Sequence, residues 1–184
     1  MEIISLEIPA VKIIKPNRIE DERGFFSETY NQDKLIKQGI NLNFVQDNHS
    51  LSLDKGVIRG LHFQTNPFAQ DKLVRVVKGS ILDVAVDLRT ESPSFGKHVK
   101  EVISSDAWNQ ILVPAGFAHG FCTLENNTEV IYKVSNLYSP ENDKGLMWND
   151  PYLNIDWPVL ENEAILSKKD KEQPSFRELP VFFK

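Results

Sequence analysis

Short runs rich in β-branched residues recur along this chain, each long enough for one strand and each closed by turn chemistry, and that punctuation constrains the fold more than any other feature. The runs are VKIIK (11–15), LNFVQ (42–46), KLVRVVKG (72–79), ILDVAVDL (81–88), KHVKEVIS (97–104), NQILVP (109–114) and VIYKVS (130–135). Val, Ile and aromatic side chains suit a pleated, half-buried surface. Lys78-Gly79-Ser80, Glu91-Ser92-Pro93, Pro114-Ala115-Gly116 and Glu125-Asn126-Asn127 interrupt the runs with residues that reverse the chain. Strands of this length at this spacing predict an all-β sandwich or barrel. One early helix is expected over Gln32–Gln38, capped by Asn31, carrying Leu35 and Ile36 as a small apolar stripe and stopped by Gly39. The charged tail from Asn162 predicts, through KEQPSF and LPVFF, a short helical turn and then an extended segment packed on the core or on a partner. No repeat or linker interrupts residues 1–184, a length that fits one domain.

Charge and cysteine usage narrow the class. A formal charge of -5 argues against a nucleic-acid surface, which needs a net or clustered basic field. Cys122 is the single cysteine, so an internal disulfide is impossible and a reducing, cytoplasmic setting is expected. MEIISLEIPAVKIIKP lacks the apolar core of a signal peptide. No apolar run approaches the roughly 18 residues of a membrane span, so no membrane association is expected. Neither a GxGxxG nor a Walker-type loop points to a dinucleotide or P-loop mechanism.

GVIRGLHFQ (56–64) sets a cation, Arg59, and an imidazole, His62, in an extended stretch bearing Gly56 and Gly60. Strict alternation puts His62 with Ile58 and Gly60, and Arg59 with Leu61 and Phe63, on opposite faces. If one bound molecule touches both, alternation must fail between them, and Gly60 is the expected irregularity. Three further polar side chains share apolar parity: Lys72 with Val74 and Val76, His119 with Phe117 and Phe121, and Tyr132 with Val130 and Val134. Burying a lysine is costly unless it is paired or bound, so convergence of the four in one interior predicts a site. Each also has a plain structural alternative. His62 can be a hydrogen-bonded core residue, Lys72 can snorkel from the start of its strand, Tyr132 can be a core ring with a satisfied hydroxyl, and His119 can brace the PAGFAHGF turn.

An imidazole base, an ammonium near a carbonyl oxygen and a phenol acid supply what enolisation requires: a proton leaves beside a ketone, the enolate is stabilised, and a proton returns. A base and an acid on opposite faces of the substrate would invert the carbon. Asp83, Asp87 and Asp170 are candidates for a carboxylate that orients the imidazole, and spacing does not choose among them. A metal site is not expected, because LHFQ has neither a second histidine two residues on nor a nearby glutamate. His49 and His98 stand in polar surroundings and read as surface or structural residues. Arg23 in DERGFFSETY, Arg59, Lys168 and Lys169 are candidate anion contacts. For Arg23 a surface pair with Asp21 or Glu22 competes.

DERGFFSETY (21–30), QDNHSLS (46–52), GVIRGLHFQ (56–64), DKLVRVVKGSILDVAVDLR (71–89), PAGFAHGF (114–121), VIYKVSNLYSP (130–140), WNDP (148–151) and LSKKD (166–170) follow in order over nearly the whole chain. Together they resemble the deoxythymidine diphosphate (dTDP)-4-dehydrorhamnose 3,5-epimerases of L-rhamnose biosynthesis. The resemblance implies a homodimeric, cupin-type jelly roll with a few short peripheral helices, needing no metal or organic cofactor. It implies inversion of carbons 3 and 5 of dTDP-4-dehydro-6-deoxy-D-glucose, both beside the 4-ketone. By motif it implies His62 as base, Asp170 as its orienting carboxylate, Tyr132 as acid and Lys72 as enolate stabiliser, with His119 beside the keto-sugar. It implies nucleotide or diphosphate contacts from Arg23, Glu28, Gln46, Asn48, Arg59 and Lys169, stacking of Tyr138 on thymine, and packing of Phe26 nearby. Arg23 and Glu28 are implied to come from the partner subunit. Asp143 stands where the family usually has glutamate, so this substrate contact keeps its carboxylate on a shorter side chain.

Three other functions compete. A single-centre epimerase of a related dTDP-4-keto-deoxysugar would keep the same base. A non-catalytic sugar-nucleotide-binding cupin would bind dTDP without proton exchange, and a cupin oxygenase would require stoichiometric metal.

Overall fold

A computed structural model describes residues 1–184, in which the strand punctuation becomes thirteen strands, two short helices and one 3-10 turn. The chain opens with β1 (Glu2–Ser5) and β2 (Lys12–Lys15), an outlying hairpin of β3 (Arg18–Asp21) and β4 (Gly24–Ser27), and helix α1 (Gln32–Lys37). There follow β5 (Gln46–Ser52), β6 (Ile58–Gln64), β7 (Lys72–Lys78), β8 (Ser80–Asp87), β9 (His98–Ser104), β10 (Gln110–Val113), β11 (Phe117–Thr123), β12 (Thr128–Val134), β13 (Asp143–Gly145) and α2 (Lys168–Lys171). Hydrogen bonding sorts them into a six-stranded sheet ordered β1-β2-β10-β7-β12-β5 and a five-stranded sheet ordered β13-β6-β11-β8-β9. All pairings within them are antiparallel, and from β5 to β13 the chain changes sheet at nearly every connection, the winding of a jelly roll.

Side-chain alternation explains where the core sits. The six-stranded sheet turns Val74, Val76, Ile111, Val113 and Val130 inward against Ile81, Ala85, Phe117 and Phe121 of the other sheet. The five-stranded sheet is buried on its second face as well. There Ile58, Leu61, Phe63, Val84, Val86 and Cys122 lie beneath Leu146, Trp148, Trp157 and Phe183 of the C-terminal segment. Double burial is why β8 and β11 are nearly continuous buried runs.

Several local expectations need adjustment. Asn31 caps α1 by accepting from the Lys34 N–H at 3.0 Å, but Ile36 is exposed, and Ile40 beyond the helix joins Leu35 against Ile14, Leu73 and Leu112. Only the last residue of LNFVQ is in a strand. Leu42 and Phe44 pack beside α1, and the ladder with β12 begins where Gln46 meets Val134. The β3–β4 hairpin has no counterpart among the expected runs, since its side chains are almost all exposed and no alternation marks it. The tail forms α2, a 3-10 turn at Phe176–Glu178 and an extended end where Phe183 bridges Arg89. No helix is long and apolar enough to cross a membrane.

Candidate active site

Between β6 and β11 the ladder slips: His62 pairs with His119 but Arg59 pairs with Phe121, so three steps on β6 face two on β11. A one-residue bulge of this kind reverses the strand's facing. Ile58, Leu61 and Phe63 accordingly share the outer core, while Arg59 and His62 line one interior cavity. The separation of Arg59 from His62 by strict alternation is thus corrected, and the irregularity is at Gly60. Gly60 has φ of 126°. A Cβ there would lie 2.6 Å from the Gly120 Cα, and a Cβ on Gly120 would lie 2.7 Å from the Arg59 carbonyl oxygen. Two apposed glycines therefore permit the close approach of β6 and β11.

The cavity, about 280 Å³, gathers His62, Lys72, His119 and Tyr132, the four polar residues of apolar parity, together with Arg59 and Ser50. A lobe of about 160 Å³ adjoins it, sharing His62, Lys72 and Tyr132 and adding Gln46, Asn48, Tyr138 and Asp143. His62 and His119 belong to the five-stranded sheet, Lys72 and Tyr132 to the six-stranded one, so the two pairs face each other across the sandwich.

Each candidate carboxylate has a different partner. Asp170 Oδ1 lies 2.5 Å from His62 Nε2, Asp83 approaches His119 Nε2 at 2.8 and 3.0 Å, and Asp87 is engaged by Arg89, Ser92 and Ser94. A carboxylate only accepts, so its partner nitrogen carries the proton, and His62 keeps a lone pair on Nδ1. Asp170 is delivered by α2, whose cap Ser167 accepts the Asp170 N–H at 3.1 Å. Burial pushes the Asp170 carboxyl upward, but hydrogen bonds from His62, Ser167 and the Gly60 backbone outweigh it and hold the group below the usual carboxylate range. For wholly buried Asp83 burial wins, and its carboxyl is raised despite His119 and Lys72.

Lys72 is 9% exposed. Its Nζ donates to the His62 carbonyl at 3.2 Å, and burial pulls it from 10.5 to about 8 against the attraction of Asp143 and Asp83. Its remaining N–H groups are available to an oxygen that gains negative charge. Burial likewise raises Tyr132, with Arg59 opposing, so the phenol stays protonated at neutral pH. Arg59 is held by β5, donating from Nε to Ser52 Oγ and from Nη2 to the Leu51 carbonyl, both at 3.1 Å. In the adjoining lobe Asp143 Oδ2 accepts from Lys169 Nζ at 2.5 Å and from the Tyr138 hydroxyl at 3.0 Å, and Gln46 bridges Asn48 to the Tyr138 N–H.

Three expected contacts are not brought together with the rest. Arg23, Phe26 and Glu28 lie on or beside the β3–β4 hairpin and line neither lobe. Arg23, its side chain 89% exposed, pairs with Asp21 at 2.6 Å, as the surface alternative expects. Phe26 is exposed and Glu28 pairs with Lys34 at 2.6 Å. Ser50, Phe121 and Ser167 line the main cavity, and Gln64 and Gln70 the lobe, without having been singled out from the sequence. For Ser50 the signal was available, since it shares the parity of Gln46 and Asn48 on β5. No group of three or more His, Cys, Asp or Glu side chains is placed to hold a metal ion.

Comparison with known proteins identifies the family. The family model described as dTDP-4-dehydrorhamnose 3,5-epimerase matches residues 5–178. The dTDP-4-dehydrorhamnose 3,5-epimerase of Sinorhizobium fredii is 50% identical over 179 residues, covering 97% of this chain and 91% of its own. The crystal structure of the Bacillus anthracis enzyme of that name, with TDP and PPi bound, superposes with a TM-score of 0.92 at 48% identity, over 95% of this chain and 98% of that one. A dTDP-6-deoxy-D-glucose-3,5-epimerase from Legionella pneumophila, in complex with dTDP-4-keto-L-rhamnose, gives 0.92 at 42% identity, over 97% and 94% of the two chains. With near end-to-end matches at this identity, the chain belongs to the dTDP-4-dehydrorhamnose 3,5-epimerase family.

Proposed function

We propose that this enzyme inverts carbons 3 and 5 of dTDP-4-dehydro-6-deoxy-D-glucose to give dTDP-4-dehydro-L-rhamnose, and that His62, Asp170, Lys72 and Tyr132 carry out the proton transfers. The observation that carries the reading is the 2.5 Å His62–Asp170 pair facing Lys72 and Tyr132 across one cavity. His62 Nδ1 takes the proton beside the 4-ketone, and the electron pair of the broken C–H bond moves onto the ketone oxygen, where the Lys72 ammonium receives it. Asp170 stabilises the imidazolium as it forms. Tyr132, from the opposite sheet, returns a proton to the other face of the same carbon, which inverts it. The tyrosinate and the imidazolium then return to their starting states by proton exchange with solvent.

His119 borders the sugar, while Arg59, Gln46, Asn48, Tyr138, Asp143 and Lys169 hold the nucleotide and diphosphate. Arg23, Phe26 and Glu28 serve the neighbouring site of a homodimer, which accounts for their position on an exposed hairpin away from this chain's own cavity. Residues 1–184 act as one jelly-roll unit, in the cytoplasm. Incubation with the keto-sugar nucleotide in heavy water tests the reaction. Deuterium at both carbons 3 and 5 of the inverted product is expected. Label at one carbon would identify a single-centre epimerase, and dTDP binding without exchange a binding protein.

A further inference from the structure

One buried side-chain polar atom in the chain lacks a hydrogen-bond partner, Ser50 Oγ, and Ser50 lines the cavity with Arg59 and Tyr132. Ser50 pairs with Val130 across the β5–β12 ladder. On the same face of β5 stand Asn48, opposite Tyr132, and Ser52, which holds Arg59 Nε at 3.1 Å. The Leu51 carbonyl takes Arg59 Nη2. The guanidinium is therefore fixed against β5 through two of its nitrogens, and Nη1 keeps two N–H groups for whatever enters the cavity. A buried hydroxyl without a partner weakens a fold, so one retained in a working cavity points to a ligand atom.

We infer that Ser50 is a substrate-binding residue whose hydroxyl donates to a diphosphate oxygen held by Arg59. Arg59 contributes donors only, so an atom shared by both residues is an acceptor, and an anionic phosphate oxygen gains a charge-assisted bond from the guanidinium beside it. Lys169 is already engaged by Asp143 of the adjoining lobe at 2.5 Å, whereas Arg59 keeps Nη1 uncommitted, so a diphosphate oxygen is drawn to the part of the lining that Arg59 and Ser50 provide.

This inference rests on the reading of the cavity as a dTDP-hexose site, and calorimetric titration with dTDP separates the two. Wild type is expected to bind dTDP, and Ser50→Ala to bind it about 10- to 100-fold more weakly, the loss of one hydrogen bond to a charged group. In turnover the rise in KM should exceed the fall in kcat. Unliganded Ser50→Ala should melt at the wild-type temperature or about 2–4 °C above it, because an unsatisfied hydroxyl has been removed. If wild type fails to bind dTDP, the site reading fails and the Ser50 assignment with it. If wild type binds and Ser50→Ala binds equally well, only the assignment is overturned. A fall in kcat at unchanged dTDP affinity would move Ser50 to the hexose, and a lower melting temperature would make its hydroxyl structural; either outcome overturns the inference.

Discussion

Replacing Lys72 by Met separates what this site costs the fold from what it does for the reaction. The Lys72 ammonium is nearly inaccessible, donates to the His62 carbonyl at 3.2 Å, and is pulled by burial from 10.5 to about 8. A displacement of that size corresponds to roughly 3 kcal/mol against the ammonium in the folded state. Met fills a similar volume without charge. Losing the bond to the His62 carbonyl offsets about 1 kcal/mol, so Lys72→Met should be more stable at pH 7 by about 1–2 kcal/mol, or about 2–8 °C in Tm. The pH dependence has a definite sign. Between about 8 and 10.5 the unfolded chain holds a proton on Lys72 that the folded chain has released, so wild-type stability rises with pH in that window. The advantage of the variant should therefore shrink by about 2 kcal/mol at pH 9.5. Circular-dichroism melts at pH 7 and pH 9.5 measure both quantities, and deuterium exchange should be lost at either pH. A variant that melts below wild type at pH 7, or whose advantage is unchanged at pH 9.5, would refute the reasoning by showing that the ammonium is paired or hydrated in the folded protein.

Three other perturbations test separate links. Tyr132→Phe removes the acid but not the base, so deuterium should still enter from the His62 side while inverted product falls by about 100-fold or more; undiminished product by NMR would remove Tyr132 from that role. Gly120→Ala brings a Cβ to 2.7 Å from the Arg59 carbonyl and 3.0 Å from the Gly60 Cα. Overpacking of this kind costs about 1–3 kcal/mol, so both Tm and turnover should drop, and wild-type values for both would mean that the bulge adjusts freely. Arg23→Ala and His62→Ala homodimers should each be impaired, yet mixing them with subunit exchange should restore activity, because each heterodimer holds one intact site if Arg23 acts across the interface. No recovery despite proven exchange would keep Arg23 within its own subunit.

How far the site could be read from the sequence depends on whether local parity survives folding. On β7, β11 and β12 it does, and Lys72, His119 and Tyr132 meet in the cavity as their apolar neighbours indicate. On β6 it fails, because the facing of Arg59 is decided by Gly120, a residue on another strand brought against Gly60 only in the folded protein. A suspicious glycine was visible; the contact that makes it a bulge was not. The choice among Asp83, Asp87 and Asp170 is closed to the sequence for the same reason, since Asp83 and Asp170 meet their histidines only through tertiary packing, across 36 and 108 residues, while Asp87 is taken by its near neighbours Arg89, Ser92 and Ser94. The sequence does not mark strand β5, because its alternation is of polar with polar, nor the hairpin bearing Arg23, because neither of its faces is buried.

Register and residue type do not tell the two histidines apart. His62 and His119 are paired across β6 and β11, and each gives Nε2 to a carboxylate. Their surroundings separate them. The His119 side chain is 8% exposed and its partner Asp83 is wholly buried, with a carboxyl raised by that burial. A second positive charge there would stand close to the Lys72 ammonium, which Asp83 already feels. The His62 side chain is 32% exposed, and Asp170 is kept ionised by hydrogen bonds from His62, Ser167 and the Gly60 backbone in spite of its burial. The proposed assignment of the base to His62 follows from its partner: Asp170, held below the usual carboxylate range, is the anion better suited to stabilise an imidazolium. In the proposed mechanism His62 takes the proton because Asp170 is held ionised, and the bulge at Gly60 sets Arg59 and His62 into one cavity. His119, enclosed beside a wholly buried carboxyl, has the proposed role of a hydrogen bond to the sugar rather than of taking its proton.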